Sequence, residues 1–509
     1  MHPLFRSLII AWIASVLTLA AGGARAASVF DTVGLLPSSA ETVVVVHDGA
    51  TMRRSAVGRA AIDGVTSLVG FGETGRAWQT VSAALGMGPE EAFDAMLGER
   101  MAFASRVDEA GKKHWVLVSQ IRDDVRHRML RALKTAPREV VEGAVVLGIE
   151  DGAYAMVLME RTEGTLVIIG PGGRDPMVVD VVRSLRKAGA AALASGPELA
   201  LLRQLGTGGH ANLLALVRHG AASGAWTGFV GVARDDALVA NFRVEMPGLA
   251  HVPVENTVWT RATFNKLSEG ALAAAVDISG PMDVTGPAAD LLLPMGISDA
   301  MKAVMGSRVA MVIRPGTHGP IEAAISIETT DTTAMARAGD RWIDQMLSGL
   351  PVGSGGHQLR ANQFVSMPPT ASRAIDLSRQ VPSMRESGWN AGPMVSWNSR
   401  IEIEDCNPGQ HQGWWTVGVG TGTVGALSTQ MAARAPDAVA IPWVAMGVAR
   451  PEALFKAVAT LGWTVPDALQ PIGRVREVSW EAMRTRRPTE MVGRLRVEVR
   501  DDSAPVAPE

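Results

Sequence analysis

Arg100-Met101-Ala102-Phe103-Ala104-Ser105-Arg106 and His114-Trp115-Val116-Leu117-Val118-Ser119-Gln120 flank the polar stretch Asp108-Glu109-Ala110-Gly111-Lys112. Two strand-like runs joined by a short glycine-containing turn favour an antiparallel hairpin. A parallel pair would need a crossover of about a dozen residues or more. The hairpin therefore points to an α+β fold of mainly antiparallel sheet rather than a doubly wound one. Upstream, Glu41 to His47 is a β-branched strand ending at Asp48-Gly49. Downstream, Val125, Met129, Leu130 and Leu133 recur at helical spacing in Asp123 to Lys134. Strands follow over Ala144–Ile149, Tyr154–Met159 and Thr165–Ile169. The loop Gly170-Pro171-Gly172-Gly173 then opens a helix through Met177, Val178, Val181, Val182 and Leu185. Asn212–Val217 and a second hairpin, Thr227–Ala233 with Ala237–Glu245, close this half.

The second half has the same order. Leu272–Ile278 is the opening strand, and Val284–Leu293 begins a helix. Arg308–Ile313 and Ile321–Ile327 form the hairpin across Pro315 to Pro320, with the helix Thr332–Leu347 behind it. Arg400–Glu404 and Trp414–Val419 are strands, and Gly420-Thr421-Gly422 opens the helix Ala426–Arg434. Ala438–Val448, the helix Glu452–Leu461 and the strands Arg474–Met483 and Met491–Arg500 complete the set. A recurring order of elements at so long a period predicts two similar halves arising by internal duplication, not a solenoid. The expected division is a leader over residues 1–26, a first α+β domain over 27–250 and a second over 268–500. A Gly/Pro/Ser-rich stretch occupies 348–393, and 501–509 is read as a disordered tail.

The chain's address is written at its start. Arg6 precedes an apolar run from Leu8 to Ala21, and Ala24-Arg25-Ala26 follows. A positive start, a short apolar core and a small-x-small end form the layout of a cleaved export signal, so mature protein is expected to begin at Ala27. No later run has the length of a membrane span, because the best, Ala438–Ala449, is short and contains Pro442. The expected product is a soluble periplasmic or extracellular protein without a transmembrane segment. With 47% hydrophobic residues and a net charge of −3, it has the composition of a core-forming chain. That charge balance also argues against a nucleic-acid partner, since no excess of cations exists to displace phosphate counterions. Cys406 is the sole cysteine, so no intramolecular disulfide can form.

Leu36-Pro37 before the Val43–Val46 strand, Leu85-Gly86-Met87 before a helix, and the Leu166–Gly170 strand running into a glycine turn carry a family resemblance. In these features the chain resembles exported bacterial proteins that share a domain of unknown function. The resemblance spans most of the mature chain and implies no catalytic residue, cofactor or partner.

Three constellations bear on chemistry. Gly420-x-Gly422-x-x-Gly425 lies between a predicted strand and helix, as a dinucleotide-binding turn requires. No acid ends the next strand near Val448 to hold a ribose, so a conformational role is expected and no cofactor is assigned. Glu402, Glu404, Asp405, Cys406 and His411 form the densest set of potential ligands. Glu402 and Glu404 share a strand face by their spacing, but the mixture of hard and soft donors selects no metal. An exposed strand face followed by a turn explains the same residues, so neither a metal nor a catalytic residue is assigned. Finally, seven of the 13 tryptophans lie between Trp389 and Trp480. Core packing in a half otherwise poor in aromatics is the expected role of these rings, while Trp414 and Trp415, pointing to opposite faces of a strand, are the candidates if one is exposed to stack on a sugar or anchor a partner. Signatures of known hydrolases are absent from the sequence. The expected function is a non-catalytic scaffold or binding protein meeting an envelope protein or glycan. The alternative is an exported hydrolase acting on envelope polymers through Glu402, Glu404 or Asp405.

Overall fold

The structure is a computed structural model that describes residues 29–58, 82–83, 85–132, 138–149, 154–161, 164–172, 174–186, 193, 196–205, 211–219, 224–234, 236–247, 261–277, 301, 303–316, 321–349, 365–366, 372–376, 400–406, 413–420, 422–432, 443–460 and 473–500. The leader, the Val284–Leu293 helix, most of 348–393 and the tail lie outside the described residues. Mostly antiparallel sheet with packed helices, the chain agrees with the α+β class. It forms two compact units that meet in sequence at Pro247 and Gly248. Of the described residues near the C-terminus, 476–491 belong with the second unit and 492–500 with the first.

Among the described residues of the first unit, ten strands pair in one antiparallel run. They are β1 (Thr42–His47), β2 (Arg100–Val107), β3 (Lys113–Ile121), β4 (Arg138–Val141), β5 (Ala144–Ile149), β6 (Tyr154–Arg161), β7 (Gly164–Gly170), β8 (Leu213–Arg218), β9 (Trp226–Arg234) and β10 (Ala237–Glu245). Their order across the sheet is β4-β5-β6-β7-β3-β2-β1-β8-β9-β10. The quoted hairpin pairs Arg100 with Gln120 and Arg106 with His114, the register its turn dictates. Val43, Val45, Ala102, Ala104, Val116, Val118 and Ile168 line one face. Against them pack Met177, Val178, Val181 and Val182 of the Pro176–Arg186 helix, with Leu199 and Leu202 of Pro197–Arg203. The other face receives Met96 of Pro89–Leu97 and Val125 and Met129 of Asp123–Ala132 over Ile121, Met156 and Val167. Each such aliphatic side chain contributes about 1.5–3 kcal/mol when fully buried. Helices on both faces explain why β7 reads as a continuous apolar run and not an alternating one.

The second unit contains β11 (Ala273–Asp277), β12 (Met305–Arg314), β13 (Glu322–Thr329), β14 (Val365–Ser366), β15 (Ser372–Asp376), β16 (Arg400–Cys406), β17 (Gly413–Val419), β18 (Trp443–Ala449) and β19 (Val475–Arg484). They pair in the antiparallel order β14-β15-β16-β17-β13-β12-β11-β18-β19. The last strand is β20 (Glu490–Val499). Phe264 and Leu267 of Arg261–Ser268 and Val424, Leu427 and Met431 of Thr423–Ala432 cover one face, over Ala324, Trp414 and Val448. The helix Thr332–Gly349 brings Gly339 against the indole of Trp415. Among the described residues no helix is long and apolar enough to cross a membrane.

The structure adds elements the sequence reading lacked. These are β4, the helices Val29–Val33, Pro197–Arg203 and Arg261–Ser268, and two strands, β14 and β15, inside the Gly/Pro/Ser-rich stretch.

Candidate functional site: a histidine between two aspartates

A buried polar group of the first unit sits where the decisive hairpin meets a helix. Asp108 lies in the β2–β3 turn. Its Oδ1 accepts the Lys112 amide at 2.8 Å, and its own amide donates to the Lys112 carbonyl. His114 is the second residue of β3 and points to the face carrying Val116 and Val118. Asp175 immediately precedes Pro176, the order expected of an N-cap followed by proline at the first helical position. The Asp175 carbonyl accepts the Val179 amide, and its Oδ1 accepts the Met177 amide at 2.9 Å. Across 61 residues of sequence, Asp175 Oδ2 meets His114 Nδ1 at 2.8 Å, and Asp108 Oδ2 meets His114 Nε2 at 3.0 Å.

His114 is 5% exposed and Asp175 6%, so both are buried. Its pKa is raised above the ordinary imidazole value, first by the Asp175 hydrogen bond and then by that of Asp108, against the opposing effect of burial. The His114 hydrogen bond in turn holds Asp108 below the usual carboxylate range. A general base needs one nitrogen facing its substrate. Here both ring nitrogens face carboxylates of the protein itself, so the arrangement holds a charge and a geometry and does not relay a proton.

A second histidine is buried under the opposite logic. His47, at the end of β1, meets Thr32 Oγ1 through Nε2 at 2.6 Å. Burial, assisted by Arg100, lowers its pKa to about 4, although Asp31 and Asp48 pull the other way. The strand-end turn expected there is present. Asp48 takes a left-handed φ of 57° and its Oδ1 accepts the Thr51 amide.

The acidic run of β16 does not converge on one point. Strand alternation sends Glu404 and Asp405 to opposite faces. Glu404 comes near Gly425 of the Thr423–Ala432 helix, while Asp405 pairs in register with Trp415. Both are half-buried. β15 and β17 lie on either side of β16, and the Thr423–Ala432 helix packs against it. The side chains of Glu402 and Cys406, and all of His411, lie outside the described residues. Among the described residues no group of three or more His, Cys, Asp or Glu could hold a metal ion.

Trp414 and Trp415 do lie on opposite faces, but neither is exposed. Trp414 packs in the core with Val424 and Leu427, its ring 5.3 Å from the Arg308 guanidinium. Arg308 is itself paired with Glu328 through Nε at 2.8 Å. Trp415 is 1% exposed. The candidate reading of a surface aromatic for stacking is therefore corrected: helices cover both sides of the strand.

The three glycines of the fingerprint have different physical roles. Gly420 has φ 111°, and the Glu322 side chain packs where its Cβ would be; Gly422 has φ 87° and open space. Gly425 lies inside the helix. Thr423 Oγ1 donates to Glu322 Oε2 at 2.7 Å, so the start of this helix receives one of the protein's own carboxylates. A phosphate brought there would meet that negative charge. We expect Gly422→Ala to cost about 1–2 kcal/mol through left-handed strain. Gly420→Ala should cost more because the methyl also displaces Glu322. Gly425→Ala should stabilise by up to about 1 kcal/mol through helix propensity. Denaturant titration checks that order. Calorimetry with NAD or FAD should give no heat of binding; a stoichiometric site abolished in folded Gly422→Ala would reverse the conformational reading.

No known protein family, curated protein or solved structure matches the chain.

Proposed function

We propose that the chain is an exported, non-catalytic scaffold or binding protein of the bacterial envelope, built from two copies of one α+β domain. The observation that carries this reading is a polar contact at the same place in each unit. In the first, the start of β3 reaches the start of the helix that follows β7, through His114 and Asp175. In the second, the start of β13 reaches the start of the helix that follows β17, through Glu322 and Thr423. The groups most able to do chemistry thus fasten strand to helix.

Duplication has three supports. Strand order is the same when β4 to β9 are matched with β14 to β19 and β1 to β3 with β11 to β13. In addition, the glycines closing β7 and approaching the end of β17 make matching close approaches. A methyl on Gly170 would meet the Trp115 carbonyl and the Val178 side chain, and one on Gly418 the Ala323 carbonyl and the Val424 side chain. Moreover, Trp115 directly follows His114 just as Ala323 directly follows Glu322, which aligns the two polar contacts. The leader layout of residues 1–26 supports export. The resemblance carried by Leu36-Pro37, Leu85-Gly86-Met87 and Leu166–Gly170 belongs to the same proposal.

The test pairs binding with turnover. Mature protein is offered to glycan arrays and envelope fractions, and separately incubated with envelope polymers. Saturable binding without release of fragments is the expected result. Polymer cleavage that is lost in a folded Glu404→Gln variant would replace this reading with the exported hydrolase.

A further inference from the structure

The geometry of His114 imposes a protonation requirement. A neutral imidazole has a single N–H. Donating it to either aspartate leaves the other nitrogen's lone pair facing a carboxylate oxygen at 2.8 or 3.0 Å. Only the imidazolium donates to both. We propose that Asp108, His114 and Asp175 form a proton-operated latch, which ties the β2–β3 turn to the start of the Pro176–Arg186 helix while His114 is charged and releases one side when it is neutral.

The surroundings make the released side the turn. Asp175 is buried and keeps the Met177 amide as a second partner, so its hold on the ring is the better supported. The Asp108 side chain is 38% exposed, and water can replace the ring there. Other charges reach the latch from each neighbouring element. Arg106 lies opposite His114 in register. The turn itself carries Glu109, Lys112 and Lys113. Glu41, beside β2, accepts the Val107 amide. Arg174, next to the helix cap, is 3.7 Å from Glu139. The net effect of the two hydrogen-bonded aspartates is to favour the charged ring. Release is therefore an alkaline event, occurring above the ordinary imidazole range.

The contact between Glu322 and Thr423 in the second unit contains no histidine. It is a hydroxyl donating to a carboxylate and has no imidazole to titrate. One unit is thus fastened conditionally and the other is not. In a compartment whose pH follows the surroundings, the β2–β3 turn would be the segment that answers.

The full mature chain carrying 13Cε1-labelled histidine tests this, with the His114 resonance identified by its loss in His114→Asn. Its midpoint should lie above about 6.5. In Asp108→Asn it should fall toward the free value, because one of the two hydrogen bonds that favour the charged ring is lost. In parallel, exchange at the Lys112 amide, corrected for intrinsic base catalysis, should lose about tenfold protection through the same titration. The Ala426 amide in the second unit should show no such step. A midpoint at or below the free value, an unchanged midpoint in Asp108→Asn, or an equal step at Ala426 would overturn the latch. Should His114→Asn not fold, the resonance is assigned instead by through-bond correlation to the His114 backbone, and the midpoint arm then rests on Asp108→Asn, which alters only a turn carboxylate that is 38% exposed.

Discussion

Replacing Trp415 by alanine is expected to cost the second unit about 3–5 kcal/mol, the usual range for emptying a fully buried aromatic site. Trp415 is among the largest fully buried side chains of the described chain, and the backbone of Gly339 closes directly against its ring. Collapse of the helix into the cavity is limited because Met335 and Ala338 on the same helix are already buried. Trp414→Ala should cost a similar amount and also strip the Arg308–Glu328 pair of the ring that the guanidinium covers. Chemical denaturation, followed by exchange at β13 and β17 amides so that the second unit is read alone, measures both. Were either tryptophan instead a binding platform, the alanine variant would keep its stability and lose a ligand. A stable Trp415→Ala protein would show that the helix does not seal that face.

That pair shows how far the sequence reaches. Alternation placed the two rings on opposite faces, because it is a property of the strand alone. Exposure was not readable, since it depends on Thr332–Gly349 and Thr423–Ala432 returning to cover both faces. The three hairpins were legible for the reason Trp exposure was not: their partners are adjacent, and the turn fixes the register. β4 escaped because Arg-Glu-Val-Val is short and mostly exposed, with neither alternation nor a long apolar run. β14 and β15 were hidden by the glycine and proline around them. The latch was half visible. Asp175-Pro176 before an apolar helical run is a readable cap. Nothing local tells that its carboxylate will find His114, because only the pairing of β3 with β7 brings the two together.

Acid should loosen the first unit before it loosens anything held only by aspartates, and His47 sets the size of the effect. The folded state holds this ring neutral down to about pH 4, whereas an unfolded chain protonates it near 6.5. Between those values the unfolded state binds more protons, so stability falls as pH falls, by roughly 3 kcal/mol over the window. His114 does not mask this. Its pKa is raised, so its contribution is fully present below the unfolded value and is lost only as pH rises through the folded one. Asp108 acts at the other end. Its depressed pKa gives a contribution present above the unfolded carboxylate value, about 3.8, and lost as pH falls through the folded one, beneath the His47 window. His47→Gln keeps a neutral hydrogen-bonding group near Thr32 Oγ1 and removes the titration. Opening free energies at the β1 amides, Val43 to His47, should therefore drop from pH 7 to pH 4 by roughly 3 kcal/mol more in the native chain than in the variant, whose remaining slope comes from His219, a ring whose pKa burial also lowers. Equal slopes in the two proteins would mean that water reaches the His47 ring in the folded state, and that its burial under the Val29–Val33 helix is not maintained in solution.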